Sequence, residues 1–260
     1  MDNVNRTLYI PLYGKAYVSH RGLILEDKKA EEIWKKEGFP LKGKAKSKWL
    51  AYNMGMRSAV FDRWTEKAME EDPDAVVLHL GCGMDSRCIR VEHKGQPWFD
   101  VDFPEVIRER QRYFEESENY RMIGSDIRDL GWLSQIPSGK TAIIVMEGIS
   151  MYLQPEELTE VLKRWKDYFG QVRILMDSYT VFAAKVTKYK NPINEVGVTE
   201  VYGFDDPYDL EKGTGITFRQ EHALTPDWLI QQLPKREQGF FRCLFAGSMA
   251  KKIYRLYEYT

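Results

Sequence analysis

The chain has 260 residues, with 38 Lys+Arg against 39 Asp+Glu and a formal charge of -1. That balance excludes a general grip on polyanions, because nucleic-acid-binding chains carry a clear basic excess. A chain of this length buries roughly 70–75% of its unfolded surface, so it supports a large core unaided.

The first 72 residues read as helical and charged, a helical N-terminal cap over 1–72. In Asp27–Glu37, Ala30, Ile33 and Trp34 fall at helical spacing among Lys and Glu, and Gly38-Phe39-Pro40 ends the pattern. Lys42, Lys44, Lys46 and Lys48 alternate with small residues and read as a solvated loop. Ser47 to Glu71 predicts a longer amphipathic helix or helix pair, with Trp49, Met56, Val60, Phe61 and Trp64 as its stripe, stopped at Asp72-Pro73.

There the period changes. Ala75–Leu80 is a short apolar run leading into Gly81-Cys82-Gly83, as expected of a buried parallel strand feeding a glycine turn. Further strands are predicted at Trp98–Asp102, Tyr120–Ser125, Thr141–Glu147 and Val172–Asp177, with helices at Pro104–Ser117, Pro155–Phe169 and, briefly, Leu130–Ile136. Residues 181–215, rich in Gly, Asp, Asn, Pro and Tyr, read as an insert that would cover an acceptor site. Strands at Ile216–Leu224 and Lys251–Tyr259 and a short helix capped by Thr225-Pro226-Asp227 complete the second unit, 73–260. Strand–helix alternation implies an α/β fold with a mostly parallel sheet covered on both faces.

The cysteines, Cys82, Cys88 and Cys243, form no CxxC or Cys/His cluster, and Met1–Tyr9 has no apolar signal segment. Both features point to a reducing, cytoplasmic setting without a metal. The most continuous apolar stretches fall far short of the roughly 18 residues of a membrane span.

Four strand ends carry chemistry. Glycines at 81 and 83 let the backbone turn sharply and approach a ligand, and the following helix points its amides there. Asp100-Val101-Asp102 ends the next strand, where a carboxylate accepts hydrogen bonds from ribose hydroxyls or else caps a helix. Asp126 and the amide of Ile127 end the third and can read an adenine edge. Glu147, before Gly148, ends the fourth and faces the ligand crevice, where it could accept from an ammonium. One such coincidence is cheap; four in order are not.

These segments resemble the leucine carboxyl methyltransferase family, in its bacterial branch of tetracenomycin-type polyketide O-methyltransferases. The matching runs are LGCGMDSR (Leu80–Arg87), DVDFPEVIRER (Asp100–Arg110), SDIRDLGWL (Ser125–Leu133) and EGISMYL (Glu147–Leu153), with Arg57, Phe61-Asp62, Leu23–Ile33 and Glu221–Pro226 in support. The resemblance implies a Rossmann-like methyltransferase fold with a seven-stranded, mostly parallel sheet and a terminal antiparallel strand. It also implies S-adenosyl-L-methionine as methyl donor, with S-adenosyl-L-homocysteine as product. Gly81, Cys82 and Gly83 would cradle the methionine part, Asp102 and Phe103 the ribose, and Asp126 and Ile127 the adenine. Glu147 and Gly148 would lie near the ammonium or sulfonium, and Arg57, with Lys15 the weaker candidate, would pair with the donor's carboxylate.

The implied reaction is transfer of a methyl to a carboxylate or hydroxyl oxygen of a small molecule, by in-line displacement. A carboxylate needs no base at neutral pH, whereas a phenol near pKa 10 does. The four histidines, His20, His79, His93 and His222, are scattered, and His79 reads as a satisfied core residue. No catalytic residue can therefore be named, which favours a carboxylate. Arg21, Arg57 and Lys185 are candidate cations for an anionic acceptor. Trp34, Trp49, Met54, Met56, Tyr179, Phe182, Tyr189, Tyr202 and Phe204 are candidates for an apolar pocket, as well as for ordinary packing. Protein C-terminal carboxyl methylation, a nicotinamide-dependent oxidoreductase and a silent cofactor-binding protein are the alternatives. The oxidoreductase lacks a third glycine, and its one Tyr-x-x-x-Lys spacing, Tyr208 and Lys212, falls in a loop.

Overall fold

Seven short segments pair into one sheet in the structure, a computed structural model that describes residues 8–38, 41, 43–187 and 200–260. They are β1 (Val76–Leu80), β2 (Trp98–Asp102), β3 (Tyr120–Gly124), β4 (Ala142–Met146), β5 (Val172–Tyr179), β6 (Phe218–His222) and β7 (Tyr254–Tyr259). Their order is β3-β2-β1-β4-β5-β7-β6, and β7 alone runs antiparallel, between β5 and β6. The expected seven-stranded, mostly parallel sheet with an antiparallel C-terminal strand is therefore present.

Every residue of β1 and β4 is buried, which is why both read as unbroken apolar runs rather than alternating ones. Val77, Ile143, Val145, Leu175 and Leu256 face one layer, with Phe61, Leu229 and Phe241. Leu78, Leu80, Ile144, Met146 and Ile174 face the other, with Trp132, Leu162 and Trp165.

The α-helices are α1 (Tyr9–His20), α2 (Lys28–Glu37), α3 (Lys48–Glu71), α4 (Arg87–Arg90), α5 (Pro104–Arg110), α6 (Pro155–Phe169), α7 (Val181–Thr187), α8 (Asp227–Ile230), α9 (Lys235–Phe241) and α10 (Ser248–Lys251). The predicted α6 forms with its expected limits, because Gln154 and Glu157 close a capping box around Pro155. The segment predicted as a helix or helix pair forms one continuous helix, Lys48–Glu71. Helix α1 falls within the cap read as helical, although the sequence reading gave it no limits. It lies so close to α3 that a Cβ on Gly14 would stand 2.6 Å from Met54 Cβ, and this proximity brings Lys15 to the sheet's carboxyl edge.

Several boundaries differ. The predicted Pro104–Ser117 helix stops at Arg110; Gln111–Tyr113 turn instead, with the amides of Tyr113 and Phe114 both on the Arg110 carbonyl. Leu130–Gln135 is a 3-10 helix, and Lys251 ends a short helix, Ser248–Lys251, before β7. Phe39, Pro40, Lys42 and Tyr189 lie outside the described residues.

Candidate active site

The glycine turn after β1 is built as its sequence demands. Gly81 and Gly83 have φ of +61° and +51°, the left-handed region that a Cβ penalises. A side chain on Gly81 would also collide with Ile149 Cγ2. The helix expected behind the turn is a single turn, α4, so the backbone of the turn itself rather than a helix dipole faces the crevice.

At the end of β2 the two aspartates separate by role. Asp100 is fully buried and accepts from Trp98 Nε1 at 2.8 Å, from the Tyr120 hydroxyl at 2.6 Å and from Arg110. Burial raises its pKa, but Arg110, His79 and Tyr120 outweigh that and hold it at about 2. Asp102 instead accepts the amides of Gly83 at 2.7 Å and Phe103 at 2.8 Å, one on each oxygen. Burial dominates there and pushes its carboxyl up to about 6 despite those amides. Each Asp102 oxygen retains lone pairs, so the group can accept two vicinal hydroxyls while pinning the glycine turn.

Asp126 accepts the amide of Arg128 at 2.9 Å and its guanidinium at 2.6 Å, which lowers its pKa. Glu147 lies in a buried ion network. Arg57 Nε donates to it at 3.0 Å, and Arg87 donates to its other oxygen. Burial opposes this, but Arg57 and Arg87 hold the carboxyl at about 2. Arg57 also donates to Asp177 at 3.2 Å and to the Tyr254 hydroxyl at 2.9 Å, and Tyr254 in turn donates to Asp177 at 2.7 Å. Lys15 pairs with Asp85 at 2.8 Å, and Arg90 joins Asp85 to Asp27 and Asp62.

Within this network Lys15, Arg57, Arg87 and Arg90 face Asp27, Asp62, Asp85, Glu147 and Asp177, one carboxylate more than the cations present. Burial pushes Asp177 up against the pull of Arg57, Tyr254 and the Gly148 amide. A cationic ligand would relieve that surplus.

All ten residues expected from the sequence, Arg57, Gly81, Cys82, Gly83, Asp102, Phe103, Asp126, Ile127, Glu147 and Gly148, line one cavity of about 700 Å³. Lys15 lines it too. Arg57 and Glu147, read as separate contacts to a ligand, are also partners of each other. Among the pocket candidates, Met54 and Tyr179 reach the cavity. Met56 is core, Phe182 is exposed, and Phe204 stacks on Tyr257. Trp34 and Trp49 pack against the cap's apolar clusters, and the Tyr202 hydroxyl bonds Glu200. Arg21 lies over the Tyr17 ring and Lys185 is exposed on α7, so neither faces the cavity. None of the described residues of 181–215 lines it; the segments 221–225 and 244–254 do.

His79 is buried, with Arg87 donating to its Nε2 at 3.0 Å, and it also lines the cavity. Sequence reading missed Asp85, although it sits inside the glycine-turn motif. It also missed Tyr254 and left His222 undecided; both reach the cavity through the register of β6 and β7.

These features match S-adenosylmethionine: a glycine cradle, a carboxylate with capacity for a diol, and a buried surplus of negative charge for a sulfonium. The sequence profile of the leucine carboxyl methyltransferase family matches residues 7–166. The chain is 29% identical over 232 residues to the tetracenomycin polyketide synthesis O-methyltransferase TcmP of Streptomyces glaucescens, spanning 86% of this chain and 84% of that one. It is 28% identical over 188 residues to the S-adenosyl-L-methionine-dependent methyltransferase dpfgK of Gibberella zeae, across 66% of this chain and 63% of the relative. Among solved structures, magnesium protoporphyrin IX methyltransferase from Synechocystis with bound S-adenosylhomocysteine superposes with a TM-score of 0.52 at 12% identity, covering 89% and 92% of the two chains. That likeness speaks to the fold. The chain belongs to the leucine carboxyl methyltransferase family and is an S-adenosylmethionine-dependent methyltransferase.

Proposed function

We propose that this enzyme methylates a carboxylate or hydroxyl oxygen of a small-molecule acceptor in the cytoplasm. The observation that carries the reading is one cavity whose lining joins the turn at Gly81–Gly83, Asp102, Asp126 and Glu147 with apolar side chains such as Leu50, Met54, Leu244 and Phe245. No described helix is long and apolar enough to cross a membrane. The domain reading follows the same division. Residues 1–72 act as a cap that lends Lys15, Met54 and Arg57 to a methyltransferase unit over 73–260.

S-adenosylmethionine brings an activated methyl on a sulfonium, so the protein's work is chiefly to hold the reactants in line. Asp102 accepts the ribose hydroxyls. Asp126 and the Ile127 amide take the adenine edge. Arg57 and Lys15 attract the donor's carboxylate, while Glu147 and Asp85, their partners, balance its ammonium and sulfonium. Holding a nucleophile about 3–3.5 Å from the methyl can supply several kcal/mol of the barrier lowering.

Calorimetry with S-adenosylhomocysteine tests the reading directly, and saturable binding is expected. Gly83→Val should abolish it, because a branched side chain would project from a backbone already at φ +51°. Methyl transfer from labelled donor to small aromatic acids and phenols, and none to a peptide ending in a leucine carboxylate, is the expected specificity. The reverse pattern would overturn the small-molecule assignment.

A further inference from the structure

We propose that Tyr254 and Asp177 are positioning residues that aim Arg57 at the carboxylate of S-adenosylmethionine, so that this chain selects its donor by the amino-acid end. The inference rests on the reading of Arg57 as that carboxylate's partner. It assigns the means by which an arginine already facing two carboxylates stays available to a third.

Arg57 lies on α3 with its side chain only 6% exposed, between Glu147 and Asp177. Its donors divide unequally. Nε donates to Glu147 at 3.0 Å, and Nη1 donates to the Tyr254 hydroxyl at 2.9 Å and to Asp177 Oδ2 at 3.2 Å. Nη2 has no hydrogen-bond partner among the described residues, and it is not one of the buried atoms left without a partner. Its two N–H groups therefore reach open space. Glu147, Gly148 and Tyr254, the neighbours of the guanidinium, all line the cavity, as Arg57 itself does. A Cβ on Gly148 would stand 3.4 Å from Nη2, so this edge of the guanidinium lies against the cavity wall.

A guanidinium beside a carboxylate tends to pair with it through two parallel N–H groups. Arg57 does not do so with Asp177, because the Tyr254 hydroxyl takes part of both. Tyr254 opens β7 opposite Tyr179 of β5, with the two ring centroids 5.0 Å apart. Its hydroxyl donates to Asp177 Oδ2 at 2.7 Å and accepts from Arg57 Nη1, while Asp177 Oδ1 accepts the Gly148 amide at 2.7 Å. Asp177 is fully buried and is not part of the cavity lining, so it reaches a ligand only through these partners. Without the hydroxyl the guanidinium can turn fully onto Asp177 and draw Nη2 away from the cavity. Lys15, the other candidate for the donor's carboxylate, is held separately by Asp85 at 2.8 Å.

Calorimetry on the full-length enzyme compares S-adenosylmethionine with decarboxylated S-adenosylmethionine, which keeps the sulfonium and the ammonium and lacks only the carboxylate. The wild type should bind the complete donor about ten- to a hundredfold more tightly. Tyr254→Phe keeps the ring beside Tyr179 and removes the hydroxyl. It should weaken S-adenosylmethionine about tenfold and leave the decarboxylated donor within about twofold. A merely structural role would weaken both alike. Asp177→Asn still accepts from the Gly148 amide but turns an amide N–H towards Arg57. It should narrow the preference in the same way, and it reads the pair independently if the first variant does not fold. An undiminished preference in folded Tyr254→Phe overturns the proposal and leaves Lys15 as the carboxylate's partner. So does equal weakening of both donors in that variant. A wild type that binds the two donors equally well would instead remove the reading of Arg57, and the proposal with it.

Discussion

Asp102 offers the sharpest quantitative prediction. Burial raises its carboxyl from 3.8 to about 6, against the pull of two amides. A folded pKa above the unfolded one means that the native state binds the proton more tightly. The stabilisation is thus fully present below about pH 4 and is lost as pH rises through 6. A shift of that size corresponds to about 3 kcal/mol of folding free energy between those limits. In the proposed reading, ionised Asp102 is nonetheless the form that would accept the ribose hydroxyls. Affinity for S-adenosylhomocysteine should therefore be level above pH 7 and weaken below 6, by up to about tenfold per pH unit.

Isothermal titration calorimetry from pH 5 to 8 measures this, with Asp102→Asn as the comparison. The variant should bind more weakly at pH 7.5 and lose most of the pH dependence. In urea unfolding it should also lose the decline in stability between pH 4 and 6. Equal pH slopes for the variant and the wild type would refute the reasoning, because the titrating group would then lie elsewhere.

Other expectations concern the turn and the network around it. Gly81→Ala should destabilise by about 2–5 kcal/mol, combining the left-handed backbone with overpacking against Ile149. Adding Ile149→Ala should recover less than the whole, since the φ of +61° remains, and a urea double-mutant cycle separates the two parts. Glu147→Gln leaves Arg57 and Arg87 facing a neutral amide and should cost about 3–5 kcal/mol at pH 7 in urea unfolding. Because the Glu147 pKa is depressed to about 2, its contribution in the wild type is present above about pH 4.5 and fades only as pH falls towards 2. Asp126→Ala should weaken S-adenosylhomocysteine binding about five- to tenfold, one hydrogen bond's worth. Thermal unfolding of the unliganded protein should barely change, because the Asp126 pairing with Arg128 is partly exposed.

The ten residues singled out by sequence share one reason for being legible. Each sits at or just beyond the carboxyl end of a parallel strand, except Arg57, and short-range rules govern that junction. A buried strand must be apolar throughout, its turn needs glycine, and whatever polar group follows it faces the crevice. So Gly81, Gly83, Asp102, Asp126 and Glu147 could be located without knowing how the strands are ordered. The fold class was legible for the same reason, since alternating strands and helices permit few other arrangements.

What only the tertiary structure decided is which of these groups touch one another. Arg57 and Glu147 are 90 residues apart and form an ion pair, and Asp177 meets Tyr254 across an antiparallel register. Asp100 and Asp102 look alike in the sequence, yet Arg110 and Tyr120 claim the first, whereas the second takes the amides of Gly83 and Phe103 at the cavity. His222 was one of four scattered histidines until the pairing of β6 with β7 set it beside Glu258, 36 residues later. Spacing along the chain encodes the local turn, but charge pairing across the sheet depends on strand order and on burial. Neither of those is written in any short stretch of the sequence.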